Sequence, residues 1–239
     1  MSKPLLLCWR VVFTFCEVSL AAEPAPATAQ NGAAPVAGTT DKEAAYLADI
    51  IQRADKHVAA LKLDDPGNAA KVRDAIVNQY RSLRTVHDAR DARLNELPKG
   101  DAAKPQADAI KAESDTALKP LHEKFIAELS AQLTSEQVEK VKDEMTYNVV
   151  HVTYAALGDM IPQLTEPQKA YILAQLKEAR EIAMDQGSSN AKHAVFGKYK
   201  GRINNYLSKQ GYDLKQLTKD WAERRKARES GKPATPAAQ

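Results

Sequence analysis

Apolar residues recur at intervals of three and four along most of the chain from residue 41 to residue 229, which is the spacing of one buried helix face. Clusters of Gly, Pro, Asn and Asp interrupt these stripes at residues 64–68, 98–101, 158–162 and 187–190. No segment sustains the alternation of apolar and polar residues that a half-buried strand requires. We therefore predict a single all-α domain over residues 41–229, a helical bundle of about six or seven helices in stacked hairpins.

The same pattern makes predictions about individual helices. A helix over about residues 105–133 contains Pro120, which should kink or divide it because proline removes an N–H donor and clashes with the preceding turn. The next helix should begin at Thr134 and run without interruption toward Gly158. Thr134 and Thr165 each precede a Gln by three residues, which is the form of a capping box, so each is predicted to begin a helix.

The N-terminal segment is typical of a secretory signal peptide. Lys3 precedes a mostly apolar stretch, and the small residues Ala21 and Ala22 suit cleavage before residue 23. A short N-terminal anchor is the alternative, but the apolar stretch falls short of the roughly 20 residues of a spanning helix. We assign residues 1–22 to the signal peptide and predict a secreted or periplasmic protein with no stable membrane span after cleavage.

Composition narrows the function classes. Cys8 and Cys16 both lie in the predicted signal peptide, so the mature chain should have no disulfide, zinc–thiolate site or cysteine nucleophile. Lipidation of Cys16 is an alternative that the bulky Phe15 before it disfavours. The net charge of +3 is spread over 34 basic and 31 acidic residues, which argues against a nucleic-acid partner. Residues 23–40 and 230–239 are rich in small residues and proline and are predicted to be a disordered linker and tail.

Two aromatic and polar stretches are richer than a simple core requires. Tyr147, His151 and Tyr154 are spaced i, i+4 and i+7 and should share one face of the predicted continuous helix. Residues 185–206 bring several rings close to side chains that donate hydrogen bonds. The candidate ligand-binding residues of this second stretch are His193, Phe196, Lys198, Tyr199, Arg202, Asn204, Asn205 and Tyr206.

Rings flanked by polar donors suit a sugar site, because the ring face covers the apolar side of a pyranose while the donors fix its hydroxyl groups. Gly197 and Gly201 would relieve crowding at such a surface. The basic side chains of the same stretch favour an acidic or sulfated polysaccharide as the partner. The alternative is that Phe196, Tyr199 and Tyr206, which also lie at helical spacing, pack in the core.

The stretch from Met145 to Trp221 resembles a family of secreted bacterial proteins known as domain of unknown function 3826. Its most specific part is the run HAVFGKYKGRINNYL at residues 193–207, and the helices from about residue 45 also look like the family. Shorter matching segments lie at residues 147–150, 153–154, 159–162, 164–166, 178–180, 183–185 and 211–213. The resemblance implies a carbohydrate context and supplies no catalytic residues.

A looser resemblance concerns the motif L-T-x-x-Q, which occurs at residues 133–137 and 164–168 and is similar to that of small helical periplasmic proteins of the envelope-stress chaperone type. It implies a periplasmic chaperone or adaptor, although the motif is also the form of an ordinary helix N-cap. A third hypothesis is an accessory enzyme of polysaccharide degradation that uses carboxylates such as Glu178 or Asp185. Because no common hydrolase motif is present, the leading prediction is a non-enzymatic carbohydrate-binding protein without cofactor or metal, whose oligomeric state the sequence leaves open.

Overall fold

The computed structural model of the chain describes residues 37–230, with side chains from residue 41 onward. The predicted signal peptide, most of the predicted linker and nearly all of the predicted tail lie outside the described residues. The described part forms eight α-helices and a short 3-10 segment at Asp101–Ala103, with no strand, so the all-α prediction is confirmed. In chain order the helices are α1 (Ala37–Leu61), α2 (Pro66–Asn95), α3 (Lys104–Ser130), α4 (Ser135–Met145), α5 (Val149–Met160), α6 (Glu166–Met184), α7 (Ser189–Lys209) and α8 (Leu214–Glu229).

The first four helices enclose one of two apolar cores. α1 and α2 form a hairpin, and Asp65 caps α2 by accepting a hydrogen bond from Gly67 N at 2.9 Å. α2 also packs along α3, and α4 closes the cluster against α1 and α3. Fully buried members of this first core include Ala54, Val72, Ile76, Leu129 and Val141. Burial of each larger aliphatic side chain contributes roughly 1.5–3 kcal/mol, so this core holds the N-terminal half together.

The last four helices enclose the second core. α6 and α7 pack along each other, α5 lies against α6, and α8 contacts both α5 and α7. α8 buries none of its own residues; instead, Trp221 Nε1 donates to Asp159 Oδ2 at 2.7 Å and Arg228 pairs with the same carboxylate at 2.9 Å. Fully buried members of the second core are Ile172, Leu176, Ala179, Ile203 and Leu207.

The two cores meet where α4 packs against α6. Met184, the last residue of α6, is completely buried and belongs to the first core. The chain then turns at residues 185–188 and enters α7. The start of α7 is therefore held between the two halves of the domain, close to α1 and α2.

The structure corrects the prediction of one continuous helix from Thr134. α4 and α5 are separated by a break in which Tyr147 and Asn148 have φ values of 59° and 54°. Asn148 N donates to Asp143 O at 2.8 Å, which closes the last turn of α4. Met145 and the first residue of α5 are nevertheless both buried at helical spacing. Apolar periodicity therefore continues across the break and does not reveal it.

One further helix boundary differs from expectation, and division of the helix, one of the two effects predicted for Pro120, does not occur. α1 begins at Ala37, four residues before the predicted start of the domain at residue 41. α3 runs through Pro120 without being divided. Leu118 and Phe125, on either side of the proline, are both buried, and their packing compensates for the lost backbone hydrogen bond.

Both predicted capping boxes are present. At the first, Gln137 N donates to Thr134 Oγ1 at 3.3 Å and Thr134 N donates to Gln137 Oε1 at 3.0 Å. At the second, Thr165 N donates to Gln168 Oε1 at 2.9 Å, and the same oxygen accepts from Tyr212 OH at 3.0 Å. Each copy of the L-T-x-x-Q motif therefore acts as a helix N-cap.

Candidate functional site

The aromatic residues Phe196, Tyr199 and Tyr206, which were predicted to bind a ligand, all pack in or against the second core. Phe196 and Tyr199 are only 1% and 3% exposed and belong to the second core. Their ring faces are covered by the protein, as the core interpretation of these residues predicts. Tyr206 is half-buried against the same core and stacks on Tyr171, with ring centroids 4.0 Å apart.

The polar end of Tyr199 is satisfied within the protein. Its hydroxyl donates to Glu178 Oε1 at 2.7 Å, and the guanidinium carbon of Arg202 lies 4.3 Å from the centroid of its ring. Arg202 also pairs with Glu178 at 3.7 Å. Burial, and then the bond to Glu178, raises the pKa of Tyr199. This cluster fastens α7 to α6, so Arg202 and Glu178 have structural partners already.

The remaining polar residues of the predicted stretch point to solvent. Lys198, Asn204 and Asn205 are exposed on the outer face of α7. A Cβ atom added to Gly197 or Gly201 would meet nothing within 4 Å. The two glycines therefore do not relieve crowding, contrary to expectation.

The break between α4 and α5 separates the other predicted group. Tyr154 packs against the second core, and His151 Nε2 lies 2.8 Å from Asp143 Oδ2. Tyr147 precedes α5, is 49% exposed and stacks on His193, with centroids 5.4 Å apart and planes 13° apart. Tyr147, His151 and Tyr154 thus do not share one helix face. Tyr147 and His193, one residue from each predicted stretch, are brought together instead.

A pocket of about 340 Å³ lies beside Tyr147, among α1, α2 and the start of α7. We call it the tyrosine pocket, because Tyr46, Tyr80 and Tyr147 line it together with the turn at residues 186–189. Its volume falls within the roughly 300–1,000 Å³ of small-molecule sites. The pocket is thus large enough for a ligand, and Tyr147 forms part of its edge.

Hydrogen bonds fix two of the three tyrosines. Tyr46 OH donates to Tyr80 O at 3.1 Å, and Tyr80 OH lies 3.0 Å from His57 Nε2. Burial raises the pKa of Tyr80, so its hydroxyl stays protonated. The guanidinium carbon of Arg84 lies 4.0 Å from the centroid of the Tyr46 ring. Tyr46 and Tyr80 therefore form a rigid wall, while Tyr147 keeps about half of its surface in solvent.

Four cationic side chains, Arg53, Arg84, Arg90 and Lys192, line the tyrosine pocket. The arginines all have carboxylate partners: Arg53 pairs with Asp49, Arg84 with Glu43 and Asp88, and Arg90 with Asp91. Lys192 differs, because it is only 5% exposed and its Nζ donates to the backbone oxygen of Met145 at 2.8 Å. Burial lowers the pKa of Lys192 to about 8, although Asp185 opposes the shift.

His57 responds to the charge of this region. Burial, and then the neighbouring positive charges of Lys192 and Arg53, lowers the pKa of His57 to about 4. A histidine with that pKa is neutral at pH 7. The nearby cations therefore disfavour a further positive charge at His57, whose Nε2 contacts the hydroxyl of Tyr80 in the tyrosine pocket.

In the turn that leads into α7, the backbone at Gly187 lies close to the ring of His87. A Cβ atom on Gly187 would lie 2.8 Å from His87 Cδ2. The His87 ring cannot move aside easily, because its Nε2 donates to Asp185 O at 2.7 Å and its Nδ1 accepts from Arg90 Nη1 at 2.9 Å. Glycine is therefore required at this position, and the packing fixes one edge of the pocket.

Beneath this turn, Asp185 lies buried at the junction of the two cores. Its Oδ1 accepts from Gln79 Nε2 at 3.3 Å, and its Oδ2 lies 2.8 Å from His122 Nδ1. His122 Nε2 lies 3.5 Å from Glu181. The hydrogen bonds to Asp185 and then Glu181 raise the pKa of His122 to about 9. Asp185 is thus a structural partner of His122 rather than a carboxylate open to a substrate.

A second pocket, of about 540 Å³, lies beside His151 and Arg180. Arg180 is only 2% exposed, and its guanidinium group pairs with Glu139 at 2.6 Å, Asp143 at 2.7 Å and Glu181 at 3.1 Å. Asp143 is also the partner of His151. The charged groups on the inner side of this pocket are thus paired with one another.

Sequence reasoning missed most of the tyrosine pocket. Tyr46, Arg53 and Tyr80 belong to helices far earlier in the chain than α7, and no local pattern connects them with it. Lys192 was detectable in principle, since it occupies a position of the buried stripe that continues with Phe196. A cation at a buried position needs a partner. The position of Lys192 in the buried stripe is therefore the one local feature that could have indicated the pocket.

The described residues contain neither a candidate metal site nor a candidate membrane-spanning helix. Within residues 37–230, no group of three or more His, Cys, Asp or Glu side chains is arranged to hold a metal ion. No helix in that range is long and apolar enough to cross a membrane.

The fold and the pocket together define an all-α protein with a ligand-sized pocket between its two halves. A family model described as "Protein of unknown function (DUF3826)" matches residues 47–227. The match covers most of the chain, so the protein belongs to this family, and the resemblance seen in the sequence is confirmed. No curated protein matches the chain.

Proposed function

We propose that this protein is a non-enzymatic carbohydrate-binding protein and that its ligand occupies the tyrosine pocket. The observation that carries the proposal is Tyr147, whose ring is 49% exposed at the edge of the pocket while its backbone has a φ of 59°. Residues other than glycine rarely adopt this conformation, and such strain clusters at ligand-binding sites. An exposed aromatic ring is also the surface on which the apolar side of a pyranose can stack.

The surroundings of Tyr147 support the same ligand class. His193 stacks against the Tyr147 ring and restricts its orientation. Arg53, Arg90 and Ser189 line the pocket and supply donors for sugar hydroxyl groups. A rigid ring with a few convergent polar groups is the usual composition of a small-molecule site.

The proposal is tested by calorimetric titration of neutral and acidic oligosaccharides into the wild type and two variants. Tyr147→Gly removes the ring and also relieves the positive φ, so the variant should remain folded. We expect it to weaken binding at least about tenfold, which corresponds to roughly 1.4 kcal/mol. The control is the double variant Asn204→Ala, Asn205→Ala on the outer face of α7, which should bind as the wild type does.

Two results would contradict the proposal. If no oligosaccharide binds the wild type, the protein is not a carbohydrate-binding protein of this kind. If binding survives Tyr147→Gly but is lost in the asparagine double variant, the ligand occupies the outer face of α7 predicted from the sequence, and the tyrosine pocket is not the site.

We also propose that the protein is secreted or periplasmic. The support is the sequence of residues 1–22, where a basic residue precedes an apolar stretch and small residues follow. N-terminal sequencing of the protein recovered from the periplasm and the medium should find a chain that begins near Glu23. A chain that begins at Met1 and remains in the cytoplasm would contradict this assignment.

A further inference from the structure

Lys192 is a buried cation that forms no salt bridge with any residue of the described chain. Its only hydrogen bond there joins Nζ to Met145 O at 2.8 Å, which uses one of three N–H donors. The centroid of the Tyr80 ring lies 5.7 Å away and adds a weak cation–π attraction. Buried lysines are usually paired with an anion, because an ammonium group without a counter-charge loses its hydration at a high cost.

Of the groups that act on Lys192, Arg53 is a further cation and Asp185 is the one acidic group. His57 is kept neutral partly by the charges of Lys192 and Arg53. The first turn of α7, which forms part of the same wall, contains no acidic side chain. Asp185, the acidic group that acts on Lys192, already accepts from Gln79 and contacts His122. The protein therefore places, at the wall of a ligand-sized pocket, a positive charge that has no salt-bridge partner among residues 41–230.

We infer that the ligand of the tyrosine pocket is an anionic saccharide whose carboxylate or sulfate group pairs with Lys192. The inference rests on the carbohydrate-binding function proposed above and adds the chemical class of the ligand. An acidic group entering the pocket would supply the missing counter-charge in a site where solvent screens weakly, while the sugar ring stacks on Tyr147. Neutral saccharides of the same shape would leave the ammonium group unpaired.

The experiment uses matched pairs of ligands. One pair is a short oligogalacturonate and the same oligomer with its carboxylates reduced to alcohols. The other is a sulfated carrageenan oligosaccharide and its desulfated form. We expect at least one acidic member to bind the wild type about tenfold or more tightly than its neutral counterpart, and Lys192→Met to remove that preference.

The control variant is Lys198→Met, which removes an exposed lysine from the same helix. It should keep the full preference for the acidic ligand, because Lys198 lies outside the pocket. Thermal unfolding checks that Lys192→Met is folded. If it is not, Arg53→Gln serves instead, since Arg53 lines the pocket with an exposed side chain, and a several-fold loss of the preference is expected.

The outcomes separate the inference from the function on which it rests. Equal binding of acidic and neutral members, unchanged in Lys192→Met, overturns the inference and leaves carbohydrate binding intact. Loss of the preference in Lys198→Met but not in Lys192→Met also overturns the inference, because the acidic group would then bind at the outer face of α7. If inorganic sulfate binds in a Lys192-dependent way and no saccharide does, the anion subsite stands and the carbohydrate function fails. If neither inorganic sulfate nor any saccharide binds, both the anion subsite and the carbohydrate function are contradicted.

Discussion

The first turns and the middle of α7 have similar compositions and different roles. The first turns, at residues 189–193, bring Lys192 and His193 to the tyrosine pocket and to Tyr147. The middle, at residues 196–206, has rings and cations at a similar density, but its rings pack in or against the second core and Tyr199 bonds to Glu178 of α6. The difference lies in the partners: the first end meets a strained turn and two earlier helices, whereas the middle meets an apolar core. Ring and charge content along a helix therefore does not identify a binding surface by itself.

The largest expected effect on stability is in the middle of α7, which packs in the second core. Phe196→Ala removes a ring that is 1% exposed and should lower the free energy of unfolding by about 3–5 kcal/mol. Tyr147→Gly should change it by no more than about 1 kcal/mol, because relief of the positive φ offsets the lost stack on His193. Urea unfolding of both variants measures the difference. A loss below about 1 kcal/mol for Phe196→Ala would mean that the middle of α7 is not core.

The next effect concerns the junction beneath the pocket. The folded pKa of His122, about 9, lies above its unfolded value near 6.5, so its stabilisation is complete below pH 6.5 and is lost as the pH rises through 9. We expect the stability difference between wild type and His122→Gln to shrink by about 2–3 kcal/mol between roughly pH 6 and pH 10. Urea unfolding of both proteins across that range tests it, and a difference that stays constant would show that the His122–Asp185 pair does not hold the charge.

A third effect concerns the glycine at the pocket end. Gly187→Ala places a methyl group 2.8 Å from the His87 ring and should cost about 1–3 kcal/mol of unfolding free energy. A double-mutant cycle with His87→Ala identifies the cause, because the cost should fall when the ring is absent. An equal cost in both backgrounds would place the strain elsewhere.

The smallest effect concerns a glycine on the outer face. Gly197 is exposed in the interior of α7, and a Cβ atom there would meet nothing within 4 Å. Gly197→Ala should therefore raise the unfolding free energy by about 0.5–1 kcal/mol through helix propensity. Its ligand affinity should equal that of the wild type. A loss of stability or of binding would show that the outer face has a partner after all.

Most of the helices could be predicted from the sequence because they carry an apolar stripe, and several also carry a local cap. The capping boxes at Thr134 and Thr165 are local, and both are present. The break at Tyr147 could not be predicted, because it preserves the apolar register and depends on a left-handed backbone that the surrounding packing maintains. Local sequence patterns therefore predict the helices, but they do not predict backbone strain that tertiary contacts impose.

The candidate site was partly predictable for a similar reason. Tyr147 and His193 were selected on their chemistry, and the structure brings them together although they come from different stretches. Tyr46 and Tyr80 carry no local signal, since they join the pocket only through the packing of α1 and α2 beside α7. Phe196 and Tyr199 show the opposite error. They have the chemistry of a sugar site, but their side chains are buried in the second core.

The central claim is that an acidic saccharide binds at the pocket end of α7 and not at its outer face. The most direct test is a titration of the isotope-labelled protein with the acidic oligosaccharide, followed by amide chemical shifts in NMR spectra. The account predicts shifts concentrated at residues 186–193, Tyr147 and the facing parts of α1 and α2. Shifts concentrated at residues 198–206, or none at saturating ligand, would contradict it.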